Sequence, residues 1–374
     1  MKAWSKKIIV EIIDYYCELL GNSDNKKIEE TLISLNELID FVSFNPYELI
    51  PLKERLDSYQ NDDYIYLENN SGYIPFFRKF DQEIEYIPLF KEKLEKIKLT
   101  TKDLLEYTKD FYHNTDLELE SIFNNIYSSN DLYVNFKKNT ININGNVCYG
   151  YIFPISNTKI IFSNITDNKT ISTLLTLIHE FAHMIAFYIN DKHMKDINKM
   201  HFSEIEGLFM ELVASNFIKR NLGYDIDLLK VNARTYNDHL TFNHYICTKL
   251  DIYNELSKNE LNSKKAIKNY ILGNHKLLRS DLSYIYYGII EDYAGDVISY
   301  LTAVEVYLIY LQDKKSAFEI LKRIIKLNDM SSEDYLKSVN KLGIKIGSNI
   351  NKYLTILKEE EEQLHGSKKI LYRY

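Results

Sequence analysis

All five prolines of this 374-residue chain (Pro46, Pro51, Pro75, Pro88 and Pro154) lie at or before position 154, and residues 155–374 contain none. Proline removes a backbone donor and clashes with the preceding helical turn, so long proline-free sequence permits uninterrupted helices. The second half is therefore expected to be mostly helical with short loops, and the first half helical but more broken. Residues 5–20 place apolar side chains three and four apart, with Gly21 as a stop. "TTKDLLEYTKDFYHN" (100–114) opens on a threonine cap candidate, carries Asp103 in its first turn, and predicts a further helix.

One stretch departs from this pattern. Residues 132–168, "LYVNFKKNTININGNVCYGYIFPISNTKIIFSNITDN", are rich in β-branched and aromatic side chains, and "NGN" and "PISNT" are turn signals. They predict a small antiparallel sheet of about three strands, with "TKIIFSNI" the best strand. Helices are expected over 171–189 and 203–220, a polar loop over 190–202, and further helices from 226 onward. The chain divides accordingly into an N-terminal helical region (1–99), a core of helices and sheet (100–225) and a C-terminal helical region (226–374).

Composition narrows the partners. A net charge of −7 supplies no basic face for neutralising phosphates, so no nucleic-acid partner is expected. Glu11 and Asp14 interrupt the apolar positions of the N-terminal helix, leaving no core for a secretory signal. No run of about 18 apolar residues occurs, so no membrane span is expected. Cys17, Cys148 and Cys247 are scattered without a CxxC spacing, which fits free thiols in a reducing compartment and a cytoplasmic location. The run "KEEEEQLHGSKK" near the end is read as a solvated helix end.

The chemistry concentrates in "TLLTLIHEFAHMIAFY" (173–188). His179 and His183 are four apart, on one helix face, with Glu180 beside the first. A lone histidine on an apolar helix is more often a satisfied core residue than a ligand. Two histidines and a glutamate are a different matter, because burying three polar groups without a strong partner costs several kcal/mol. Zinc takes neutral imidazole nitrogens, an i,i+4 pair can converge two of them on one ion, and Glu180 can take the proton from an attacking water. A catalytic zinc usually takes three protein ligands. A third histidine six residues after His183 would mark a metzincin, but Ile189 stands there. The next helix offers Glu204, Glu206 and Glu211. Glu204 and Glu211 are seven apart and share a face, while Glu206 points nearly opposite. Glu204 is the expected third ligand and Glu211 the acceptor that orients a ligand histidine. Glu206 is the alternative ligand, and His201 is read as a loop histidine.

The order "GYIFPISNTKIIFSNI", "TLIHEFAH", "SEIEGLFMELVASNF" resembles the catalytic core of the M3 family of zinc metallopeptidases, the thimet oligopeptidase and oligoendopeptidase F group. "TTKDLLEYTKDFYHNTDLELESIFNNIY" is similar to the helices ahead of the sheet in that family, and "YIYYGIIEDYAGDVISYLTAVEVYLIYL" to its tyrosine-rich C-terminal segment. The resemblance covers roughly 100–345. It implies a mainly α fold: a zincin-like catalytic core with a small antiparallel sheet, and helical lobes flanking a deep channel, the N-terminal lobe reduced. It implies a zinc-dependent metalloendopeptidase acting on short unstructured peptides. One Zn²⁺ would be held by His179, His183 and Glu204, with Glu180 activating water.

The family stabilises its oxyanion with tyrosine hydroxyls. Tyr286, Tyr293 and Tyr300 form one stripe at intervals of seven; Tyr293, in "DYAG", is the match to the catalytic tyrosine and Tyr286 the second candidate. Two departures are visible. The gap from His183 to Glu204, 21 residues, is slightly shorter than is usual in the family. At the position of the family's histidine near these tyrosines stands Ser283 or Tyr284. Two other readings fit the motif: a zinc exopeptidase of the metallocarboxypeptidase kind, and a non-catalytic helical peptide-binding protein with a structural metal site. Glu180 speaks against the second, since a structural site has no use for it.

Overall fold

The computed structural model describes residues 74–83, 87, 97–129, 132–135, 148–152, 159–163, 169–190, 204–223, 228–257, 264–274, 285, 290–327 and 332–359. They are mainly helical. In chain order they form α1 (Ile74–Glu83), α2 (Thr101–His113), α3 (Leu117–Tyr127), β1 (Leu132–Asn135), β2 (Cys148–Ile152), β3 (Lys159–Ser163), α4 (Ile171–Ile189), α5 (Ile205–Asn221), α6 (Leu228–Ser257), α7 (Lys264–Asn274), α8 (Ile290–Tyr310), α9 (Lys314–Ile325) and α10 (Ser332–Lys341). A last helical stretch, α11, covers 350–359. The helix expected over 5–20 and, past Asn190, the loop expected over 190–202 lie outside the described residues, as do Cys17 and Pro46. The chain resolves into two compact units, one holding the described residues from 97 to 190 and the other those from 74 to 87 and from 204 to 359.

In the first unit, α2 begins as its sequence requires. The Thr100 hydroxyl accepts from the Asp103 amide (3.1 Å), and the Asp103 carboxylate accepts from the Thr100 amide (2.7 Å). The Thr100 amide and hydroxyl, both donating to the Asp103 carboxylate, hold it below its ordinary 3.8. Asp116 caps α3 by accepting from the Glu118 and Leu119 amides. Both helices bury one face, Leu104, Phe111 and Tyr112 on α2 and Leu119, Phe123 and Ile126 on α3. That face meets α4, where Phe181 closes an aromatic cluster: Tyr112 stacks on Phe123 with centroids 4.5 Å apart, and Phe123 meets Phe181 edge-on at 5.0 Å. By length and composition α4 could cross a membrane, yet its faces are covered by α2, α3 and β2.

The sheet corrects one expectation. It has three strands in the order β1-β3-β2, with β2 and β3 antiparallel but β1 and β3 parallel (Leu132 opposite Lys159). The sheet is mixed, not antiparallel throughout. Turn signals identify where a chain can reverse but not which strand takes the centre. The centre goes to β3, whose Ile160-Ile161-Phe162 run is the most continuously apolar, while Gly150 weakens β2 and leaves it at an edge. The strand nearest "TKIIFSNI" therefore has both edges occupied, and β1 and β2 are the edges among the described residues.

The second unit is helical. Its centre is α8, packed against α5, α6 and α9, with α1 and α7 on α6. The α1–α6 seam is polar as well as apolar. Arg78 donates to Asp251 at 2.6 Å, the Asp81 carboxylate meets His244 Nδ1 at 2.8 Å, and Asn243 donates to the Phe77 carbonyl at 3.1 Å. The Asn237 amide imitates a strand neighbour, accepting from the Ile87 amide (3.0 Å) and donating to its carbonyl (2.8 Å). Cys247 is a buried free thiol, pushed up by that burial to about 12. Farther along, the buried Glu305 carboxylate accepts from the Asn349 amide and side chain, both at 2.7 Å, just ahead of α11. Gly347 makes this turn possible. Its φ is +70°, and a Cβ there would stand 3.2 Å from the Phe76 ring.

Candidate metal centre

The run "TLIHEFAH" forms the middle of α4. Thr170 precedes that helix, its amide donating to the Thr173 hydroxyl at 3.0 Å, and Asn190 ends it. Of the 19 residues of α4, His179 and His183 are half-buried while Glu180 is only 7% exposed. The helical spacing brings the two imidazoles face to edge, with ring centroids 4.6 Å apart. Glu204 is the residue at which α5 starts, and its side chain does not cap the helix. A helix N-terminus nevertheless favours a carboxylate there through its aligned peptide dipoles.

His179, His183 and Glu204 each offer one ligand atom, and these atoms lie within 4.8 Å of one another. Among the described residues this is the one group of three or more His, Cys, Asp or Glu side chains so arranged. Two imidazole nitrogens and a carboxylate oxygen form the donor set of a catalytic zinc, which needs three protein ligands and an open fourth position. The residues present fit that ion. Glu206, the alternative ligand, is not in the group; it is buried at 3% exposure two residues further on.

Glu211 is half-buried on α5, and its negative charge adds to burial in pushing the Tyr300 phenol well above its ordinary range. Tyr300 itself is fully buried and stacked on His239, centroids 4.4 Å apart, which makes it a packing residue of the α6–α8 seam. Tyr293 stacks on Phe242 at 5.4 Å and meets Tyr245 edge-on at 5.6 Å, with 8% of its surface exposed. Tyr286, along with His201, Ser283 and Tyr284, lies outside the described residues. One contact to this helix carried no signal in the sequence: the Tyr112 hydroxyl donates to the carbonyl of Ile178 at 2.7 Å.

No protein-family model matches the chain, and no curated protein matches it. Solved structures do. A chain assigned as an oligoendopeptidase F from Bacillus anthracis str. Ames is 16% identical over 91% of this chain and 63% of that one, with a TM-score of 0.47. A PZ peptidase A solved with an inhibitor is 15% identical over 84% of this chain and 58% of its own, at 0.49. Another structure assigned as an oligoendopeptidase F is 14% identical over 94% and 66%, also at 0.49. The chain spans about three fifths of the lengths of the three matched structures.

Proposed function

We propose that the chain is a zinc-dependent metalloendopeptidase of short, unstructured peptides, with one Zn²⁺ held by His179, His183 and Glu204. The observation that carries this reading is the approach of the three ligand atoms to within 4.8 Å, next to a buried glutamate on the same helix turn. Zn²⁺ bound there supplies a Lewis acid that acidifies a water and polarises a carbonyl oxygen.

The chain's own groups do the rest. Glu180 accepts the water's proton and returns it to the departing amine, one carboxylate serving as base and then as acid. Its burial keeps that proton from exchanging with bulk solvent. Tyr293 donates to the oxygen on which negative charge develops, and Tyr286 is the second candidate for that task. Glu211 accepts from the outward ring N–H of a ligand histidine and fixes its orientation. Substrate lies extended along β2, the strand that packs on α4 and an edge of the sheet among the described residues, where it adds as a further strand.

A peptide of about ten residues blocked at both ends and carrying an internal quenched fluorophore tests the reading. Cleavage that stops with a chelator, returns with Zn²⁺, and drops by about a thousandfold in Glu180→Gln supports it. Activity that survives Glu180→Gln, or that demands a free terminus, overturns the mechanism or the endopeptidase assignment respectively.

A further inference from the structure

The hydroxyl of Tyr112 is more than the core requires. Its ring already satisfies the packing: it stacks on Phe123, meets Phe181 edge-on at 6.3 Å, and is fully buried. Phenylalanine would pack as well, without a polar atom to withdraw from water. A buried hydroxyl persists at low cost only when it is hydrogen-bonded, and this one spends its hydrogen on a single acceptor, the Ile178 carbonyl oxygen at 2.7 Å.

That acceptor is singular for its position. The Ile178 carbonyl belongs to the rigid peptide plane that ends at the Cα of His179, so holding the oxygen fixes the plane from which the first imidazole departs. Within the helix the same oxygen receives the amide of the residue four positions on, Ala182, which directly precedes His183. One tether from α2 therefore acts on the turn that carries both histidines. Helix carbonyls rarely need a second donor, and a second donor sets the tilt of the plane it holds. Ligand atoms must be placed to within about 0.5 Å for productive metal geometry.

The geometry points to Tyr112 as a positioning residue that sets the angle at which His179 and His183 present their ring nitrogens to the metal. The inference rests on the zinc reading above. Burial pushes the Tyr112 phenol well above its ordinary 10, so it stays a donor throughout the working pH range.

The test compares the full chain with Tyr112→Phe and, as a control on the same aromatic cluster, Phe123→Leu. Zinc affinity is read by competition with a chelator, and ligand geometry by the visible band of the Co²⁺-loaded protein. Tyr112→Phe is expected to weaken zinc by about five- to tenfold and to move the cobalt band. Phe123→Leu is expected to lower the melting temperature with affinity and band unchanged. A folded Tyr112→Phe whose affinity lies within twofold of wild type and whose band is unmoved overturns the inference. So does Phe123→Leu weakening zinc as much as Tyr112→Phe does. Should Tyr112→Phe not fold, a ring-fluorinated tyrosine at 112 keeps the shape and alters only the donor; a shifted cobalt band then supports the tether and an unmoved one overturns it. A wild type that takes up neither ion overturns the zinc reading itself and the inference with it, an outcome distinct from equal binding by wild type and variant.

Discussion

Two histidine settings on the described helices, that of His239 on α6 and that of His179 and His183 on α4, differ in what the ring nitrogens face. His239 on α6 is 8% exposed, turns Nδ1 onto the Thr235 carbonyl one turn back at 2.6 Å, and lays its ring on Tyr300. A carbonyl only accepts, so Nδ1 donates in this bond, and the ring packs on Tyr300. His179 and His183 on α4 are half-buried, set ring to ring at 4.6 Å, and share their surroundings with a glutamate carboxylate within 4.8 Å. The ligand candidates sit on the more apolar helix and the packed histidine on the more polar one, flanked by Thr235, Asn237, Asp238 and Asn243. An apolar helix therefore does not by itself mark a histidine as a packing residue. What separates the two settings is whether the nitrogen is folded back onto the helix's own backbone or turned toward other metal-binding atoms.

The sharpest way to break this contrast is to delete one histidine of each kind. His183→Ala should weaken zinc at least about a hundredfold with little change in the melting of the metal-free protein. His239→Ala should leave zinc stoichiometry intact and cost about 2–4 kcal/mol of stability through the lost stack and the cavity. Thermal unfolding with metal titration reads both, and a reversal of the two patterns would end the distinction. Next in size, Glu204→Gln should abolish tight zinc binding while Glu206→Gln retains it, measured by metal content after dialysis; equal losses would put the third ligand in doubt. A smaller effect belongs to the α6 scaffold. Asn237→Ala removes both hydrogen bonds to Ile87 and should cost about 2 kcal/mol in denaturant unfolding, with zinc affinity unaltered.

The smallest effect is acidic. Asp103 is held below its ordinary 3.8 by the Thr100 amide and hydroxyl, and Asp313 by the Ser316 hydroxyl and amide at the start of α9. A carboxyl with a lowered folded-state value stabilises fully above its unfolded value, and that contribution fades as pH falls through about 3.8 toward the folded one. Helicity should therefore be flat from neutrality to about pH 5 and decline below, and Asp103→Asn should flatten part of the decline.

Much of this was legible because it is local. The "HEFAH" spacing, the Thr100–Asp103 cap and the limits of α4 depend on residues within a turn of one another, where helical geometry is fixed in advance. Glu204 was within reach because a seven-residue interval identifies a shared face. What stayed hidden depends on distant partners. Nothing in "DFYHN" marks Tyr112 as the donor to a carbonyl 66 positions later, and nothing around Asn237 announces Ile87. The parallel pairing of β1 escaped for the same reason: alternation tells which face a strand buries but not which strand lies beside it.

That strand order also dictates a sequence of assembly. β2 and β3 are separated by residues 153–158 alone and can zip locally, whereas β1 pairs with β3 across a stretch that contains the whole of β2. Closing that larger loop costs more chain entropy and comes later. The strand that leads into the histidine helix is thus secured on one side early and on the other side last. During synthesis, the chain must emerge past Ser163 before the sheet has a centre to build on.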